Sequence, residues 1–161
     1  MRIWSSSGRS THRSGWCGRP IPTPSLERWF APRPYEISEI ELDLKPGGIF
    51  RIRMVGPDGF DTGHGVPGCV LEVVSQEKLI WTSALGPGYR PAETGEGCES
   101  FPFTAVITFA DAGDGKTQYK AVALHKDAAG RETHEKMGFH DGWGTVAGQL
   151  EEFAQSLAAD A

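Results

Sequence analysis

With 161 residues, 39% of them hydrophobic and 23% charged, the chain has globular composition and room for one domain with one core, which excludes disorder and leaves little space for a second domain. A formal charge of -5 excludes the basic footprint of a nucleic-acid partner, and no run approaches the roughly 18 apolar residues that span a bilayer, so no membrane partner is implied. Three irregularly spaced cysteines, Cys17, Cys69 and Cys98, form no CxxC pair, and no apolar signal-peptide core opens the chain, which points to a reduced, cytoplasmic setting.

Residues 1–25 differ from the rest. They hold Arg2, Arg9, Arg13 and Arg19, six serines, no acid, and prolines at 20, 22 and 24, leaving 12 of the 16 basic and all 21 acidic residues downstream. An Arg- and Ser-rich, acid-free opening is also how an organelle transit peptide reads, but the prolines break the amphipathic helix such peptides need. Ile3, Trp4, Trp16 and Ile21 are too widely spaced for a strand or a helical stripe. The segment is therefore expected to be a disordered or artefactual leader, of the composition that out-of-frame GC-rich coding sequence gives, with the folded domain spanning 26–161.

From Ile37 the pattern is β. Ile40, Leu42 and Leu44 alternate with Glu39, Glu41 and Asp43, and Pro46-Gly47-Gly48 supplies a turn into a second strand, Ile49–Val55, with Phe50, Ile52 and Met54 on one face and Arg51 and Arg53 on the other. Gly56-Pro57-Asp58-Gly59 turns the chain again. Further strands are expected at about 64–74, 79–83, 103–109 and 117–125, with a long Gly- and Pro-rich loop over 84–100. Thereafter helical spacing takes over. A short helical segment is expected over 131–137, ended by Gly138, and a long helix over roughly 141–158. Asp141 is placed to cap the long helix, whose stripe of Trp143, Val146, Ala147, Leu150, Phe153, Ala154 and Leu157 faces a sheet while Glu151, Glu152 and Gln155 face out.

Chemistry is hard to find. The glycines near 47, 86 and 95 lie between β segments, with no strand-to-helix unit to aim a phosphate at a helix N-terminus, so no nucleotide cofactor is implied, and no GxSxG elbow is present. His125, His134 and His140 cluster beside Glu132, Glu135 and Asp141, but His134 and His140 are six apart and miss the i, i+4 face of an HExxH site, so no metal is expected. Glu132 and Glu135, at i and i+3, read as a solvated helix face rather than an acid–base pair. The large apolar side chains are more numerous than a small core must have, so some can line a cavity as well as pack.

Arg28-Trp29-Phe30 with Pro32, Leu44-Lys45-Pro46-Gly47-Gly48-Ile49-Phe50, and Gly56-Pro57-Asp58-Gly59 resemble the first half of the activator of heat-shock-protein-90 ATPase homologue family. Gly68 through Val74, Glu77-Lys78-Leu79-Ile80-Trp81-Thr82 and His134 through Trp143 resemble the second half, in the same order, so that the resemblance covers 26–158. It implies the START-like helix-grip fold of the SRPBCC superfamily: an α+β domain with a curved antiparallel sheet of about six to seven strands and a long C-terminal helix packed across it. It also implies an apolar cavity between helix and sheet, and a link to stress response in bacteria. Members usually open with a strand that residues 1–25 do not resemble, and the relatives that stimulate the chaperone use an additional N-terminal domain for which this chain has no room.

On this reading the protein is a non-enzymatic binder of a hydrophobic small molecule of unknown identity. The expected cavity walls are Phe50, Met54, Trp81, Phe103, Met137, Phe139, Trp143 and Val146, with no catalytic residue, cofactor or metal. Two alternatives stay open: a co-chaperone-like interaction module whose partner is a chaperone or a second copy in a homodimer, and a cyclase- or hydrolase-type enzyme working in the same cavity. Polarity inside the cavity discriminates them, since a convergent His or carboxylate with a displaced pKa would favour catalysis.

Overall fold

The computed structural model describes residues 26–64, 67–92, 102–113 and 116–159, together with the backbone of 4–10. Its strands are β1 (Trp4–Ser10), β2 (Glu36–Leu42), β3 (Ile49–Val55), β4 (Gly68–Val74), β5 (Lys78–Thr82), β6 (Leu85–Gly86), β7 (Arg90–Pro91), β8 (Phe103–Gly113) and β9 (Lys116–His125), followed by helices α1 (Ala128–Lys136) and α2 (Phe139–Ala159). Seven strands form one sheet in the order β1-β9-β8-β5-β4-β3-β2, with antiparallel neighbours, and β6 and β7 pair separately. The domain is thus the expected helix-grip fold, with α2 against the sheet.

The alternation read from the sequence sets the two faces. Trp81, Ala105 and Ala123 are mutual partners across β5, β8 and β9, and Leu79, Ile107 and Ala121 form the next rung. Side chains two apart share a face, so Phe103, Ala105, Ile107 and Phe109 line one side of β8 and Tyr119, Ala121, Ala123 and His125 the same side of β9. Trp143, Ala147 and Leu150 of α2 pack on the Ile107–Tyr119–Ala121 cluster and so define this as the helix side. Strands β3 and β4 share only the pairs Ile49–Cys69 and Phe50–Gly68 before they diverge, which lets the sheet curl. The Pro-Gly-Gly turn behaves as its chemistry requires: Gly47 has φ +82, and a Cβ on Gly48 would lie 2.1 Å from the Asp43 carbonyl oxygen.

Several expectations are corrected. Trp4–Ser10 pairs along β9, Trp4 opposite Ala123 and Ser10 opposite Thr117, so the opening segment does supply an edge strand. Backbone pairing onto an open sheet edge needs no apolar alternation, which is why the pattern hid it; residues 11–25 lie outside the described residues. The 84–100 loop begins with the β6–β7 ribbon, closed by a 3-10 turn at Pro87–Tyr89, and residues 93–100 lie outside the described residues. Helix α1 starts at Ala128 because Asp127 caps it, its Oδ1 accepting from the Gly130 N–H at 2.9 Å. Helix α2 starts at Phe139, which places Asp141 inside the first turn rather than at the cap. Glu152 and Gln155 are exposed and Glu151 is half-buried, while the side chain of Leu157 lies outside the described residues.

The decisive feature of α2 is polar. Gln149 is only 6% exposed, and its Nε2 donates to the carbonyls of Trp29 (2.9 Å) and Ala31 (2.7 Å) while its Oε1 accepts from the Arg33 N–H at 2.8 Å. One carboxamide thereby satisfies three backbone groups of an irregular segment. Gln149→Met keeps the volume and strands those groups, so thermal or denaturant unfolding is expected to show a loss of about 2 kcal/mol or more; a loss below about 0.5 kcal/mol would mean that packing alone holds the segment.

Candidate functional site

Phe30, carried on the segment that Gln149 fixes, packs against all three buried clusters of the core. From it runs a closed circuit of seven rings. Phe30 meets Phe50 of β3 at 6.1 Å, Phe50 stacks on Trp81 of β5 at 4.2 Å and 6°, and Trp81 meets Phe103 of β8 at 5.3 Å. Phe103 then touches His134 of α1 at 4.8 Å, His134 touches Phe139 at 4.7 Å, Phe139 touches Trp143 at 5.9 Å, and Trp143 returns to Phe30 at 6.1 Å. The circuit ties sheet, α1, α2 and the 26–31 segment together. Ala105 and Ala123 share the Trp81 rung and are buried, 1% and 5% exposed.

Five of the eight expected wall residues, Phe50, Trp81, Phe103, Phe139 and Trp143, are members of this circuit. Val146 is buried elsewhere, with Leu26, Trp29 and Phe153. Met54 is half-buried near the end of β3, where its N–H donates to Thr62 Oγ1. Met137 is corrected: it is 60% exposed, on the outside of the turn that Gly138 makes with φ +89. Phe30 and His134 are members of the circuit that were not among the expected walls. The Arg-Trp-Phe motif was the signal for Phe30; His134 needed the tertiary contact between α1 and β9.

That contact is a hydrogen bond between two imidazoles, His125 Nε2 and His134 Nδ1, at 2.9 Å. A bond of this kind has one ring donating and the other accepting. Burial holds both rings below the ordinary histidine range, His134 down to about 4 with the neighbouring His125 contributing, while Glu135 and Asp127 pull His125 the other way and Arg131 adds to its depression. No group of three or more His, Cys, Asp or Glu is gathered for a metal among the described residues.

Two voids flank these elements. One is an apolar cleft lined by Leu26, Trp29, Phe30, Leu44, Leu79, Ile107 and Phe109, with a volume of about 10 Å³, enough for about one water. The other is an open groove of about 300 Å³ beside Glu39, Ile40, Glu41, Arg51, Arg53 and His64. Its charges are already matched: Arg53 binds Asp61 and Glu39, Arg51 binds Glu41, and His64 binds Glu39. The smaller cleft is the apolar one, and at about 10 Å³ it is far below the volume of a small-molecule pocket.

The helix-grip fold with an aromatic interior is that of a ligand-binding or co-chaperone-like module. The chain belongs to the family described as Activator of Hsp90 ATPase homolog 1-like protein, whose model it matches over residues 23–155. It is similar to a crystal structure of a Nitrosomonas europaea protein at 38% identity and TM-score 0.82, covering 98% of this chain and 96% of that one. A Mycobacterium smegmatis protein matches at 18% identity and TM-score 0.70, covering 96% and 92%. The AHSA1 protein of Silicibacter pomeroyi matches at 14% and 0.58, covering 99% and 100%. No curated protein matches the sequence. No helix among the described residues is long and apolar enough to cross a membrane.

Between pH 6.5 and about 4 the unfolded chain binds a proton at residue 134 that the folded protein refuses, so folding stability falls as pH drops through this window. Asp61, held at about 2 by Arg53, acts lower, between its ordinary 3.8 and 2. Melting temperatures measured from pH 7 to 4 are therefore expected to decline less steeply for His134→Phe, which keeps the ring and removes the titration; superimposable pH profiles would contradict the assignment.

Proposed function

We propose that this protein binds a hydrophobic small molecule between the sheet and α2. The observation that carries the reading is the closed aromatic circuit from Phe30 through Phe50, Trp81, Phe103, His134 and Phe139 to Trp143. Ring faces and edges offer large, rigid apolar area at low entropic cost. Phe50, Trp81, Phe103, Phe139 and Trp143 form its walls, with Phe30 as the hinge between the circuit and the apolar cleft.

The narrowness of the closed cleft, about 10 Å³, favours a second reading, an interaction module whose interior only packs. Titration with N-phenyl-1-naphthylamine, an apolar environment-sensitive dye, separates the two. Saturable, stoichiometric enhancement that is lost in a folded Trp143→Arg variant is expected for the binder. No saturable enhancement, or the same affinity in Trp143→Arg, would remove the pocket from this location.

A further inference from the structure

A cleft with room for about one water, roughly 10 Å³, admits no larger molecule until some element around it moves. The elements of the aromatic circuit are held very unequally. Strands β3, β5 and β8 each have a hydrogen-bonded neighbour on both sides. Helix α2 buries Val146, Gln149 and Phe153, and the segment that carries Phe30 is tied to it by the three Gln149 bonds. Helix α1 differs from all of these because it buries no residue. Its sequence, Ala-Ala-Gly-Arg-Glu-Thr-His-Glu-Lys, has no apolar stripe with which to grip a sheet. The chain enters it from Asp127 in extended backbone, φ -149 and ψ 179, and leaves it through Gly138 at φ +89. Rotation at such element-terminal positions is how a helix swings without unwinding.

His134 is the member of α1 that enters the circuit. Its ring lies against Phe103 of β8 and Phe139 of α2, and its Nδ1 shares the 2.9 Å bond with His125 Nε2 of β9. The His125 ring in turn stacks on Phe103 at 5.8 Å and 29°. The charged and titratable groups around the pair, among the described residues, come from three places. Arg131 and Glu135 of α1 face each other at 3.5 Å, Asp127 caps the helix, and α2 brings His140, whose ring meets Phe139 at 5.3 Å. Strand β8 presents only Phe103 to the pair. One N–H···N bond joins the two rings while at least one nitrogen of the contact has no proton; protonation of both rings sets N–H against N–H.

We infer that α1 is the door of the interior, swinging about Asp127 and Gly138 to lift His134 off Phe103 and Phe139, with the His125–His134 bond as its latch. The inference rests on the small-molecule reading above and gives that reading a route of entry. Weakly packed segments open locally without global unfolding, and α1 is the least packed element of the circuit. Acid favours the open form, because the closed rings refuse protons that rings in water accept. The closed state is fully favoured above the ordinary histidine value of 6.5 and loses ground as pH falls from there towards about 4. The opening equilibrium therefore rises by about tenfold or more between pH 7 and pH 5.

Amide hydrogen exchange of the full chain at pH 7 and pH 5, corrected for the intrinsic rates, tests the door directly. Amides of 131–136 are expected to exchange through an opening with little urea dependence, and their protection should fall about tenfold or more at pH 5. In His134→Phe, which keeps a ring and removes the latch proton, the fall should be less than about threefold. Stopped-flow association of N-phenyl-1-naphthylamine should quicken by the same factor as the protection falls. His134→Ala, with neither ring nor latch, should take up the dye at pH 7 at least as fast as the parent does at pH 5. Protection of 131–136 equal to that of 146–153 with the same urea dependence overturns the door, since α1 then opens only when the whole protein unfolds. So does protection that falls equally in the parent and His134→Phe. Dye association unmoved while α1 protection falls removes α1 as the route and leaves the small-molecule reading standing. Absence of saturable dye binding at either pH overturns that reading itself.

Discussion

The carboxamide of Gln149 is the constraint on which the interior depends. The segment 26–33 has no regular hydrogen-bond ladder of its own, yet it must run beneath α2 to deliver Leu26, Trp29 and Phe30 to the core. Backbone groups buried there need partners, and Gln149 supplies three in one side chain. Arg33 adds an exposed ion pair to Glu152 one turn further along α2, which contributes little by comparison because water screens it. Phe30 reaches the junction of the three clusters because the chain on either side of it is tied to the helix.

Around Phe30 the structure combines two properties that rarely coexist without a reason. Aromatic contacts close the interior almost completely, and Trp29 Nε1, Trp81 Nε1 and Tyr119 Oη are buried there without acceptors. An interior optimised for stability alone would replace those donors with hydrocarbon or pair them. The His125–His134 bond fits the same description: it fastens α1, a helix with no buried residue, to the end of β9, through groups that must give up their charge to be there. Polar groups in a dry interior cost stability that a core built only for packing would keep.

Much of the fold was readable because alternation and helical spacing are local signals. Phe50-Ile52-Met54 against Arg51-Arg53 specified β3 and its faces, Pro46-Gly47-Gly48 specified the turn before it, and the stripe from Trp143 to Phe153 specified how α2 lies on the sheet. What escaped was set by contacts distant in sequence. Gln149 looks like any polar helix residue until the backbone it serves, more than 115 residues earlier, is known. His134 looks like part of a solvated helix face until β9 brings His125 beneath it. The Trp4–Ser10 strand carries no pattern at all, because its place at the sheet edge is defined by backbone pairing. Of the expected walls on strands, Phe50, Trp81 and Phe103 join the aromatic circuit and Met54 does not, while Met137 is exposed beside Gly138, whose φ is positive.

The far end of the sheet has its own consequence. Strand β2 ends the strand order, so one row of its backbone groups is unpaired by any other strand of the sheet. Its register slips between Ile37 and Glu39, and Glu36, Glu39 and Glu41 stand exposed along it, two of them engaged by Arg53 and Arg51. A bulge interrupts the even spacing that a docking strand must match, and the carboxylates repel an acidic copy of the same segment. The sheet is thereby protected at this end from growing by stacking molecule upon molecule, and a protein with so much aromatic surface inside is kept from polymerising through β2 when crowded.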